Sequence, residues 1–148
     1  MAQRYKRPES VLVVVYARTG EVLVLRRCWP ADFWQSVTGS LEWEETDPLV
    51  TARRELFEET GLGADVEVLD CGITNRFPIQ PAWQARYGSA RLNTEYVFRV
   101  ELPAPLLITL QPDEHSEYLW LPRELAADLV TSYTNREAIL RFVPGEEK

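Results

Sequence analysis

Residues 10–16 form an almost wholly β-branched and apolar run, with no polar side chain between Val11 and Val15. A run without alternation is the pattern of a strand covered on both faces. Thr19 and Gly20 supply a turn, and a second apolar run covers residues 22–25, so the two read as a buried strand pair. Further strands are expected at residues 33–37, 66–69, 95–102 and 116–121, where β-branched and aromatic residues recur or alternate with polar ones.

Helical signals are fewer and sharper. Asp47 can cap free backbone N–H groups, Pro48 suits a first turn, and Gly61 is a stop signal. At about 100° per residue, Leu49, Ala52 and Leu56, extended by Phe57, make an apolar face, with Glu55, Glu58 and Glu59 on another. Two more helices are expected at residues 122–130 and 135–143, the second opened by a capping box of Thr134 and Glu137. Residues 78–88 read as irregular chain. Strands and helices interleaved in this way imply an α/β sandwich.

Composition narrows the class. With 148 residues, 45% hydrophobic and 26% charged, residues 1–148 fit one domain, with a loose tail from Gly145 onward. A formal charge of −7 argues against nonspecific nucleic-acid binding or adhesion to anionic lipid. No apolar run approaches the roughly 20 residues of a membrane helix, and the polar N-terminus lacks a signal-peptide pattern. Cys28 and Cys71 have no metal-ligand spacing and read as reduced structural thiols. A cytoplasmic protein with no membrane partner is expected, and its oligomeric state is left open.

The acid excess is local. Between Gly39 and Gly61 lie seven acidic residues against two arginines. Glu55, Glu58 and Glu59, at i, i+3 and i+4, share one turn of helix, where like charges repel unless a cation separates them. Hard oxygen ligands on a rigid element suit Mg²⁺, with Mn²⁺ as a substitute; a solvated acidic surface is the plainer alternative.

Gly39, Glu45, Arg54-Glu55-Leu56, Glu58-Glu59 and Gly61-Leu62 together resemble the signature of the Nudix hydrolases. One position departs: eight residues separate Glu45 from Arg54, where the family pattern has seven. Because Pro48 still opens the helix, the extra residue is expected in the loop near Thr46 and Asp47, which puts the reach of Glu45 to Arg54 in question. The resemblance implies an α/β/α sandwich with a mixed sheet. It also implies metal ligation by Glu55, Glu59 and the Gly39 backbone, with Glu58 as a ligand or the group orienting the attacking water. Arg54 and Glu45 would hold the loop to the helix. A triphosphate substrate carries several negative charges, so metal ions would bridge its oxygens and neutralise the leaving group.

Segments outside the signature resemble a bacterial branch of the family that hydrolyses a folate precursor, 7,8-dihydroneopterin triphosphate, or dATP. They are Lys6-Arg7-Pro8, residues 33–40, Asn93-Thr94-Glu95, Glu114-His115 and Asn135-Arg136. By that resemblance Lys6 and Arg27 contact phosphate, whereas Arg26, next along the strand, points elsewhere. Thr38 and Ser132 contact substrate, Phe77, Pro78, Ile79 and Gln80 form a substrate-lining loop, and Glu114 adds a carboxylate, with Glu117 its local competitor. His115 is read as a surface or supporting group. Trp34 and Trp120 look like core, while Trp83 could line or cover a pocket. A silent ligand-sensing member of the family is the more distant alternative, disfavoured because every signature carboxylate is present.

Overall fold

The computed structural model describes residues 5–145, so the part of the expected tail at 146–148 lies outside the described residues. Its centre is β1 (Glu9–Ala17), whose alternate side chains feed two separate cores. Val11, Val13 and Val15 face one helix layer, and Leu12, Val14 and Tyr16 face the other. That double coverage is why the strand lacks polar alternation.

β2 (Glu21–Arg27), β5 (Leu69–Pro78), β6 (Leu92–Leu102) and β7 (His115–Pro122) complete most of the sheet, together with the short β3 (Trp34–Gln35) and β4 (Val37–Ser40). The strand order is β3-β2-β1-β6-β5, with β4 pairing to β1 and β7 to β2. Only β1 and β6 run parallel, which makes the sheet mixed. α1 (Pro48–Thr60) covers one face through Ala52 and Leu56, and α3 (Arg123–Leu129) and α4 (Tyr133–Phe142) cover the other through Ala126, Ala127, Ala138 and Ile139. An α/β/α sandwich results, as expected. No helix among the described residues is long and apolar enough to cross a membrane.

Several local expectations need correction. Residues 33–37 are two strands: at Ser36 the chain leaves β2 and continues against β1, so Gly39 lies opposite Val11. The strand expected at 66–69 begins only at Leu69 and continues to Pro78, through a register shift near Gly72. Its exposed alternate positions gave it little hydrophobic signal. Residues 81–87, expected to be irregular, hold a 3₁₀ turn (Pro81–Trp83) and a one-turn helix, α2 (Gln84–Tyr87). α4 starts before Thr134, with Ser132 at its cap position and no side-chain capping bond, so the expected box does not form. Thr134 is instead buried within the helix. Trp34 and Trp120 are half-buried and pack on the margins of the two cores.

On α1 the ends follow the signals: Asp47 accepts from the Leu49 amide at 3.0 Å, and Gly61 closes the helix at φ 79°, where a side chain would be strained. The faces are rotated from the expected ones. Phe57 is 60% exposed, while Glu59, three residues beyond Leu56, is carried onto the buried side and is only 1% exposed.

Candidate active site

Burying Glu59 sets the chemistry of the site. Neither carboxylate oxygen has a hydrogen-bond partner of ordinary geometry; the Glu55 carboxyl and the Thr38 backbone lie beside it, and His115 Nε2 is 3.6 Å away. Burial first, then the neighbouring Glu55 and Glu114, holds its carboxyl well above the usual range. Glu55 is likewise pushed up by burial. A Cβ on residue 39 would fall on the Glu55 carboxyl, so glycine is what leaves room for that carboxyl against β4.

Arg54 organises the carboxylates around it. Its guanidinium forks onto Glu45, with Nε to Oε2 at 3.0 Å and Nη2 to Oε1 at 2.9 Å, and reaches Glu55 at 2.9 Å and Glu58 at 3.2 Å. Nη2 also donates to the Ser40 carbonyl at 3.1 Å. The fork draws the Glu45 carboxyl down to about 2. Glu45 therefore does reach Arg54, and the extra residue leaves that contact intact. The loop before the helix is further tied by Arg7, which donates to the Glu45 carbonyl at 2.7 Å and to the Glu42 carbonyl at 3.1 Å.

This acid cluster borders a cleft of about 1250 Å³. Lys6, Arg27, Thr38, Gly39, Arg54, Glu55, Glu59, Glu114 and Ser132 line it, and so do Phe77, Pro78, Ile79 and Gln80. Phe77 and Pro78, however, belong to the end of β5 rather than to a loop. Glu45 stands behind Arg54, and Glu58, 46% exposed, is drawn aside by it. Glu114 faces the cleft, while Glu117 pairs with Arg26 at 2.9 Å on the outside. Thr38 lines the cleft, but its hydroxyl donates to the Val11 carbonyl at 2.8 Å. Ser132 Oγ shares a hydrogen bond with Thr134. His115 is buried rather than on the surface, and its pKa is lowered to about 4 by burial and by Arg27, so the ring is neutral.

Beside the acid cluster the cleft is aromatic and cationic, with Arg27 in electrostatic reach of Glu59 and Glu114, and Lys6 of Glu55 and Glu114. The Arg27 guanidinium lies 5.4 Å from the Trp83 ring and 5.7 Å from Phe33, and the two rings are 5.5 Å apart. Arg86 lies over Trp29 at 5.7 Å, and its carbonyl accepts from the Lys6 amide at 2.8 Å. Burial, then Arg86 and Arg27, lowers the Lys6 pKa, so this part of the cleft holds cations crowded enough to welcome an anion. Arg86, Trp29, Phe33, Gln35, Asn93 and Glu95 line the cleft without having been given a role from the sequence. A signal existed for two of them: Asn93 and Glu95 are polar residues at alternate positions beside a strand's apolar ones.

Two orphaned oxygens on Glu59, a second carboxylate against Gly39 and an all-oxygen donor set fit a hard divalent cation. Among the described residues, no three His, Cys, Asp or Glu side chains converge closely enough to hold an ion as they stand. Glu55 and Glu59 supply two carboxylates, and a third would come from Glu58 or Glu114 swinging toward them.

The sequence pattern described as the NUDIX domain matches residues 6–142. The chain is 44% identical over 144 residues to the dihydroneopterin triphosphate diphosphatase of Escherichia coli K12, covering 94% of each chain. It is 35% identical over 148 residues to the protein of the same name from Haemophilus influenzae, covering 97% of this chain and 92% of that one. The solved structure of the E. coli dihydroneopterin triphosphate pyrophosphohydrolase superposes with a TM-score of 0.88 at 42% identity, over 95% of this chain and 98% of that chain.

Proposed function

The chain belongs to the NUDIX domain family, and from that premise we propose that it hydrolyses 7,8-dihydroneopterin triphosphate to dihydroneopterin monophosphate and pyrophosphate. It is a Nudix pyrophosphohydrolase. The observation that carries the reading is the buried Glu59 carboxylate, without a hydrogen bond of ordinary geometry, beside Glu55 in a cleft that also gathers Gly39, Lys6, Arg27 and aromatic rings.

In this reading Glu55 and Glu59 hold Mg²⁺, or Mn²⁺ in its place, with the Gly39 backbone and Glu114 completing the set. When bound, such an ion neutralises phosphate charge and lowers the pKa of water. Arg54 keeps Glu55 in place and, through Glu45, fixes the loop that follows Gly39 and β4. Glu58, the most exposed of the carboxylates on Arg54's guanidinium fork apart from Glu42, orients the attacking water. Lys6 and Arg27 bind phosphate oxygens, and residues 77–80, Thr38 and Ser132 confine the remainder of the substrate. The protein works in the cytoplasm on a small molecule rather than on nucleic acid, in keeping with its free cysteines and net charge of −7.

A triphosphate panel tests this directly. With Mg²⁺ present, the pterin substrate should yield pyrophosphate rather than orthophosphate, and should turn over faster than dATP at equal low concentration. Orthophosphate as product, or a clear dATP advantage, would overturn the assignment.

A further inference from the structure

Asn93 and Glu95 have no part in the hydrolysis described above. On β6, Asn93 and Glu95 alternate in step with Val97, a core residue, so both side chains turn inward. They are 6% and 5% exposed, at positions where a strand ordinarily carries Val or Ile. Both line the cleft.

Their hydrogen bonding is incomplete. Asn93 Nδ2 donates to Ser10 Oγ at 2.7 Å, while its Oδ1 is buried with no partner. Glu95 accepts from Asn75 Nδ2 at 3.2 Å and from the Thr134 hydroxyl, both neutral groups, and burial pushes its carboxyl upward. A buried acceptor left without a donor is costly, and a native structure keeps one where something else supplies the donor. Glu95 can also accept more, since two carboxylate oxygens offer about four lone-pair sites. The cleft therefore presents hydrogen-bond acceptors to whatever ring enters it.

We propose that Glu95 and Asn93 select the ring of the substrate, the Glu95 carboxylate accepting the adjacent N3–H and 2-amino hydrogens of a pterin, and Asn93 Oδ1 accepting a further N–H. This rests on the pterin reading above. A 2-amino-4-oxo pyrimidine edge places two donors side by side, matching a carboxylate oxygen for oxygen. Adenine places its amino donor beside a ring nitrogen lone pair, which a carboxylate repels. Hydrogen-bonding sites discriminate well because the wrong ligand leaves buried groups unpaired. Glu95 is thus a specificity residue, separate from the carboxylates of α1.

The test separates ring binding from turnover. Triphosphate-free dihydroneopterin and deoxyadenosine are titrated against wild type, Glu95→Gln and Asn93→Ala, following intrinsic fluorescence, with thermal melts of each variant. Glu95→Gln should weaken dihydroneopterin about tenfold or more, as expected for losing a hydrogen bond to a charged group. It should not weaken deoxyadenosine, because a Gln amide offers one donor and one acceptor. The kcat/KM ratio of the pterin triphosphate over dATP should fall in parallel, through KM. If Glu95→Gln melts early, Asn93→Ala carries the same comparison with a smaller effect. Equal losses on both rings, no loss on the pterin, or a wild type that favours deoxyadenosine would each overturn the proposal. Failure of wild type to hydrolyse the pterin triphosphate would instead overturn the activity, whereas hydrolysis with an unchanged ring titration leaves the activity standing and removes only this inference.

Discussion

In the acid part of the cleft, Arg54, Glu55 and Glu59 come from a single helix, with Glu58 drawn aside on it, and meet Gly39 and Glu45 from the segment just before it; in the aromatic part, Lys6, Arg27, Phe33, Trp83 and Glu95 come from five separate stretches of chain. The acid part has its spacing set by helix pitch and its tension set by like charges, relieved by one guanidinium. The aromatic part has its spacing set by strand register and by packing between distant segments. The first should therefore fail through charge and the second through fit.

Glu59→Gln is the sharpest way to test the first half. The substitution keeps the shape and removes the charge, so turnover with Mg²⁺ should fall about a hundredfold or more. The metal-free variant should melt no lower than wild type, because Glu59 has no hydrogen bond of ordinary geometry to lose and its carboxyl neighbour Glu55 repels it. Adding Mg²⁺ should raise the melting temperature of wild type and leave the variant unmoved. Undiminished turnover would show that the acid part does not hold the ion through Glu59.

A smaller effect is expected from Arg54→Lys, which keeps the charge and loses the fork. The Glu45 carboxyl titrates near 2 in the folded chain against an ordinary 4.5, so the unfolded chain binds more protons between those values. The pair's contribution, about 2 kcal/mol after allowing for solvent screening, is complete above roughly pH 4.5 and is lost as pH falls toward 2. Denaturant midpoints measured across that window should show wild type losing its advantage over Arg54→Lys. A gap that stays constant with pH would mean the fork is not what stabilises the loop.

The same contrast explains what could be read from the chain alone. Asp47, Pro48, Gly61 and the Glu spacing are local signals, and they located α1 and its acids. Rotation of the faces was not local: Glu59 is buried because α1 packs on β4, β1 and β6, with His115 of β7 beside it, which leaves Phe57 outside. The division of residues 33–37 at Ser36 depends on Asn135, ninety-nine positions away, whose Oδ1 accepts from the Ser36 amide and whose Nδ2 donates to Ser36 Oγ. Trp83 was legible as a pocket residue from its irregular setting, but Arg86 becomes a site residue only once the fold brings residues 81–87 to the cleft, and no spacing in the sequence records that.

The smallest effect should come from Trp83→Leu, which tests whether the aromatic part works by fit. Arg27 lies against both Trp83 and Phe33, so removing one ring loosens the guanidinium without removing its charge. Cation–π contacts of this kind are worth about 1 kcal/mol, or roughly fivefold in an equilibrium constant. KM for the pterin triphosphate should rise by about that factor while kcat is nearly unchanged, because Trp83 is distant in role from the carboxylates that act on phosphorus. Phosphate contacts by Arg27 would persist, so the rise should be similar for dATP. A fall in kcat instead would mean that Trp83 positions the triphosphate for attack, and the two parts of the cleft would have to be treated as one mechanical unit.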